Sequence, residues 1–301
     1  MTPDAPATSP EGLMTTSSTR ARRVPDPSVK VQVYEPHRAG LPPMRPYLTE
    51  LWQRRHFAVE LSRAQMRAAN SGTFFGQVWL VLNPLLLASV YFVLVNVLAS
   101  KPKGMEYFAH LTGGLFLFYF VSTSMTTGAS SVTGAGKLLM NTAFPRLLIP
   151  ISAVRTAFFR FLPTVPVYLV FHVLAGNPWS WVTPLALLFL VMIMSFALGL
   201  AAVFSTLQVY FRDTSSFLPY FVRIWLYLSP VILLPEQLKK FGPAEYVNPL
   251  FSLLGGYTDL LVRGQMPTAG TWLQALGWAV VALGLGGWYF ISRERDFAVR
   301  L

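Results

Sequence analysis

Apolar residues gather along this chain in long blocks, not in the two-residue alternation of a strand or the narrow stripe of a soluble helix. Six blocks stand out, near residues 78–99, 108–132, 149–175, 182–207, 217–234 and 271–291. Each runs about 20 residues with few or no charges, which at roughly 1.5 Å per residue crosses a hydrocarbon core about 30 Å thick. The pattern predicts an all-α polytopic membrane protein with six transmembrane helices. Two other segments follow different rules. Over 51–70 the period becomes helical and two-sided, with His56, Glu60, Arg63 and Arg67 on one face and Phe57, Leu61, Ala64 and Ala68 on another. Such a helix lies either in the membrane interface, apolar side down, or on a soluble partner. Residues 235–270 are too broken by Gly and Pro to span, yet VNPLFSLLGGYTDLLV is too apolar for a solvated loop. They predict a re-entrant or interface-embedded helical hairpin on the outer side.

Composition agrees with the pattern. The 301 residues are 53% hydrophobic and only 12% charged, outside the range of soluble domains. Residues 1–46 are rich in Pro, Ser, Thr and Arg, and have neither apolar periodicity nor the apolar core of a signal peptide. They predict a disordered cytoplasmic tail, leaving 47–301 as the transmembrane domain. An even number of spans puts both ends on one side, together with Lys137, Arg146, Arg212, Arg293, Arg295 and Arg300. The positive-inside rule makes that side the cytoplasm, so the net charge of +11 reflects membrane orientation and not nucleic-acid binding. With no cysteine, thiol nucleophiles, disulfides and thiolate metal sites are excluded.

The chemistry that is missing narrows the function. Gly134-Ala135-Gly136-Lys137 invites a phosphate-loop reading, but a Walker loop needs Gly where Ser131 stands and Ser or Thr where Leu138 stands, after a strand. No ATP or magnesium site is therefore expected in this chain. The spans carry no Asp or Glu, which argues against coupling to protons or sodium. Asp213 alone, beside Arg212, cannot replace the clustered acids of a metal-dependent lipid transferase. What the spans do carry is arginine and rings. Arg160 and Arg223 lie deep enough either to face the bundle interior or to snorkel back to the cytoplasmic surface. Tyr91, Tyr119, Tyr220, Trp225 and Tyr227 belong to a ring-rich set that either stacks on sugar faces along a path or packs as core and interface belts.

Four pieces in order resemble one family. RRHFAVELSRAQMRAANSGTFFGQVWLVLNPLL, with Gly76, Trp79 and Pro84, looks like an interface helix running into a first span. KLLMNTAFPRLLIPISAV, with Phe144, Pro145 and Pro150, looks like a first cytoplasmic loop. YFRDTSSFLPYFVRIWLYLSPVILLPE carries Arg212-Asp213 and Ser229-Pro230-Val231, and VNPLFSLLGGYTDLLVRGQMP carries Asn248-Pro249-Leu250. The order resembles that of the membrane permease of ABC exporters for lipid-linked polysaccharides, the type-2 group that includes O-antigen and wall teichoic acid exporters. Tyr257-Thr258 departs from the Tyr-Arg often found there, and the N-terminal tail is longer.

The resemblance implies a chain that is not itself an enzyme: a separate ATPase subunit binds ATP and magnesium, and two permeases form the pore in a 2+2 complex. It implies that a polysaccharide on polyprenyl diphosphate moves outward. In that setting the segment after Gly136 is a coupling helix for the ATPase, with Lys137, Asn141, Phe144, Pro145 and Arg146 as its contact residues. Phe144 would anchor in an apolar notch and Arg146 would pair with acids; otherwise the segment is only a connecting loop. Arg63, Arg67, Arg160 and Arg223 become candidates for the lipid diphosphate, since guanidinium matches phosphate oxygens bidentately. A drug or glycan-free lipid as cargo, and a membrane lipid-processing enzyme, are the competing readings. Arg- and Ala-rich usage suggests a high-GC bacterium and a galactan as cargo.

Overall fold

The computed structural model describes residues 41–70, 76–98, 104–232 and 247–301. The chain divides after Ala39, and all that follows concerns the unit Gly40–Leu301. The tail expected to be disordered falls, up to residue 40, outside the described residues, as does 235–246 of the expected hairpin.

Twelve α-helices are described among these residues. α1 (Met44–Gln53) and α2 (Arg55–Asn70) precede α3 (Trp79–Leu98), α4 (Met105–Gly134) and the short α5 (Gly136–Asn141). Then come α6 (Leu148–Phe161), α7 (Thr164–Leu174), α8 (Ala186–Tyr210) and α9 (Thr214–Tyr227). α10 (Pro249–Leu261), α11 (Ala269–Arg293) and α12 (Phe297–Arg300) complete them. No strand occurs among the described residues.

Five segments are long and apolar enough to cross a membrane, at Trp79–Val97, Met105–Gly134, Leu148–Leu174, Thr183–Tyr210 and Ala269–Arg300. They match five of the six expected blocks. The third is α6 and α7 together, interrupted at Leu162–Pro163, because Pro163 has no N–H to donate to the carbonyl four residues back. The fifth expected span, 217–234, differs. α9 has 14 residues, about 21 Å of helix, and Pro219 stands inside it. It ends where Ser229, Pro230 and Val231 turn the chain into the bundle, all three buried.

α4 is the central helix. It is buried along nearly its whole length and packs on α8, α6, α3, α7 and α9. α8 packs equally closely on α11. Gly199 of α8 and Gly286 of α11 bring the backbones into contact, and a Cβ on either would overlap the other helix, at Ala282 and at Gly199 respectively. Small residues at a crossing let two helices approach within a bilayer, where lipid tails compete with any apolar side chain. The outer faces of α3, α7, α8 and α11 leave apolar residues uncovered, Val97 at 75% and Leu285 at 61% exposure among them. Water would penalise such surfaces and hydrocarbon would not.

The helix expected over 51–70 is two helices, α1 and α2, meeting at Arg54. α1 starts seven residues earlier than the sequence pattern indicated, and its Tyr47 is buried. The charged face of α2, His56 to Arg67, is exposed as expected. Its packed face is centred on Ala58 and Ser62, with Phe57 and Leu61 half-covered, and it lies on α6. There Thr156 Oγ1 lies 2.9 Å from both Ser62 Oγ and Gln65 Oε1.

Candidate functional site

One end of the bundle holds the loop segment singled out from the sequence. Val132 of α4, Ile149 of α6, Val209 of α8, Phe290 of α11 and Phe297 of α12 form a second apolar cluster there, with Leu61 and Phe144 against it. α5 and the loop to α6 cap this cluster.

Local forces set the shape of that loop. Asn141 Nδ2 donates to Lys137 O at 2.9 Å and Thr142 Oγ1 to Leu138 O at 2.6 Å, which satisfies two carbonyls at the end of α5. Thr142 then turns extended, so the helix ends at Asn141, short of the Phe144-Pro145 step. Beyond it the chain is clamped from both sides. Arg54 donates to Ala143 O at 2.5 Å, and the rings of Phe57 and Phe144 lie 4.6 Å apart. Pro145 is buried. Arg146 donates to the carbonyl oxygen of Glu294, whose carboxylate accepts from Tyr47 Oη at 2.7 Å. Burial draws the Arg146 guanidinium below the ordinary arginine value, against the pull of Glu294. Burial, then Glu294, pushes the Tyr47 phenol well above its ordinary value, so that Tyr47 remains a donor.

The five residues assigned to ATPase contact therefore divide. Lys137 and Asn141 face outward; Phe144, Pro145 and Arg146 are turned onto α2 and the C-terminal segment of the same chain. The outward surface gains a residue that the sequence did not single out, Met140, 62% exposed at the tip of α5. Tyr47 and Glu294 were missed as well. One lay at the edge of the expected tail and the other past the last span, and no local pattern linked positions 247 residues apart.

The four arginines proposed for a diphosphate are not brought together as one group. Arg63 pairs with Glu60 at 2.7 Å on the exposed face of α2, Arg67 is exposed on the same helix, and Arg223 is exposed on α9. Arg160 is different. It is half-buried on α6 and lines two cavities, of about 550 and 240 Å³. Lys137 lines the larger, while Trp79, Pro84 and Tyr119 line the smaller.

The rings also separate. Tyr91 and Tyr227 meet edge to face at 6.1 Å, with their hydroxyls 3.4 Å apart. Trp225 packs on Phe221 at 5.4 Å and donates through Nε1 to Asn248 Oδ1 at 3.0 Å, a core role. Tyr220 is 67% exposed. Asn248 also donates to Leu228 O at 2.7 Å and caps α10 by accepting from Leu250 N at 3.1 Å, with Pro249 at the first helical position. Thus Ser229, Pro230, Asn248 and Pro249 join α9 to α10. Arg212 and Asp213 are exposed at the α8–α9 turn, where the Arg212 carbonyl accepts from Gln208 at 3.1 Å and from Ser215 at 3.1 Å.

No family model matches the chain. Three known proteins resemble it. The O-antigen export system permease protein RfbA of Klebsiella pneumoniae is 29% identical over 213 residues, 69% of this chain and 81% of the relative. A second Klebsiella pneumoniae protein of that name is 28% identical over 68% of this chain and 80% of its own length. The protein of the same name from Myxococcus xanthus is 26% identical over 83% of this chain and 96% of its own length.

Proposed function

We propose, from the premise that the chain belongs to the type-2 ABC permease family, that it is the membrane half of an exporter for a cell-surface polysaccharide carried on polyprenyl diphosphate. The likeness to permeases named for O-antigen export, which extends over as much as 83% of the chain, carries the reading. In it the chain hydrolyses nothing itself. A separate ATPase supplies the energy, and two permease copies enclose the path in a complex of two permeases and two ATPases. Both termini lie on the cytoplasmic side of a bacterium's inner membrane, and α9 belongs to a sixth crossing. α10 is the inner arm of an outer re-entrant hairpin.

The loop from α5 to α6 is where the ATPase docks. The residues that meet the ATPase are Met140 and Asn141, whose exposed side chains stand at the end of α5, with Lys137 beside them at the mouth of a cavity. Phe144, Pro145 and Arg146 hold the loop to α2 and to the C-terminal segment, so that a push on α5 reaches α6, α2 and α11 together.

Depleting the protein in its own cells tests the cargo. Lipid-linked glycan is expected to build up on the cytoplasmic side, and its sugar composition shows whether it is a galactan. A change confined to drug sensitivity, with glycan export intact, would overturn the reading in favour of a drug exporter.

A further inference from the structure

We infer that the two cavities meeting at Arg160 form one cleft for an anionic lipid headgroup, and that Lys137 puts that headgroup in touch with α5. The inference rests on the exporter reading above and names a binding place within it.

Arg160 is a half-buried cation on a membrane-spanning segment, and among the described residues it has no hydrogen-bond or ion-pair partner. A charge in that position is costly unless something compensates it. The larger cavity, about 550 Å³, is large enough for a small-molecule group and adds a second cation, Lys137, whose ammonium has no such partner among the described residues. Among the described residues, no Asp or Glu lines either cavity. Two unpaired cations without an acid select an anion.

The remaining lining narrows the class. Thr127 Oγ1 donates to Thr123 O at 2.6 Å and Ser131 Oγ to Gly128 O at 2.6 Å, so these hydroxyls offer lone pairs to the cavity. They suit a ligand that brings hydroxyl donors beside its anion, as a sugar phosphate does. The smaller cavity, about 240 Å³, continues from Arg160 between α3, α4 and α6 and is walled by Trp79, Phe116, Tyr119 and Phe161. Those rings suit a hydrocarbon chain. The ligand class is thus an amphiphile whose phosphate sits between Arg160 and Lys137 and whose apolar chain runs toward α3. Lys137 belongs to α5, so occupancy of the cleft bears directly on the segment that meets the ATPase.

The test uses the full permease–ATPase complex in phosphatidylcholine nanodiscs, with undecaprenyl diphosphate as the probe. Bound lipid and ATP hydrolysis are both measured. Arg160→Gln is expected to weaken binding about tenfold, the loss of one charge-assisted hydrogen bond, and Arg160→Lys to recover part of it. Lys137→Gln lies on an exposed short helix and tests the cleft even where Arg160→Gln fails to assemble. It is expected to weaken binding and to lower the ratio of lipid-stimulated to basal hydrolysis. Unchanged binding in both Gln variants, with wild type binding normally, would overturn the cleft and leave the exporter reading standing. Absence of binding by the wild type would overturn both. Equal binding of inorganic diphosphate would assign the site to free anions and overturn the lipid part. If Lys137→Gln sheds the ATPase while holding the lipid, Lys137 is a partner contact and its role here falls.

Discussion

Asn248 shows what a single side chain does in this protein. Its amide donates to Leu228 O, and its carbonyl oxygen accepts from Trp225 Nε1 and from Leu250 N, so one residue ties the end of α9, the core and the start of α10. Asn248→Ala removes all three bonds and leaves the Trp225 donor and a helix end without partners. The expected cost is about 2 kcal/mol, read as a lower midpoint in detergent unfolding of the purified permease. Asn248→Asp keeps both accepting bonds and is expected to lose about half as much; equal loss in the two variants would shift the weight to the Leu228 bond. Arg146 and Glu294 make the same point from the other end of the bundle. Read from the sequence alone, Arg146 pairs with acids of a partner, yet it is committed to a carbonyl 148 residues away in its own chain.

At the scale of elements, α5 and the loop after it divide into a face that binds this chain and a face that does not. Met140→Glu changes only the outward face, and is expected to lower the yield of ATPase recovered with the permease while the permease's own unfolding midpoint stays put. Phe144→Ala removes a ring held 4.6 Å from Phe57, and is expected to lower that midpoint by about 2 kcal/mol. Reversed outcomes would turn the loop inside out. The five long segments were legible because uninterrupted apolar length is a one-dimensional property. Their packed faces were not, since α8 is apolar nearly all round and α4 is buried on nearly every side, and period alone cannot orient such a helix. α9 was misjudged in length because VRIWLYLSPV stays apolar through the turn at Ser229-Pro230, where burial inside the bundle replaces contact with lipid.

For the whole molecule, the absence of cysteine makes orientation measurable one position at a time. Asn141→Cys at the loop end and Met266→Cys between α10 and α11, both exposed, are expected to react with a membrane-impermeant thiol reagent from opposite sides. In whole cells Met266→Cys labels and Asn141→Cys labels only after lysis; the reverse would invert the topology. The positions of five long apolar segments and the all-helical class were determined by sequence alone, because hydropathy acts along the chain. Which cations are exposed, which rings are core, and that Arg160 meets Lys137 in one cavity were decided only by the tertiary structure. These depend on how helices distant in sequence rotate against one another, and small residues such as Gly199 and Gly286 set that rotation through contacts that appear nowhere in the order of the residues.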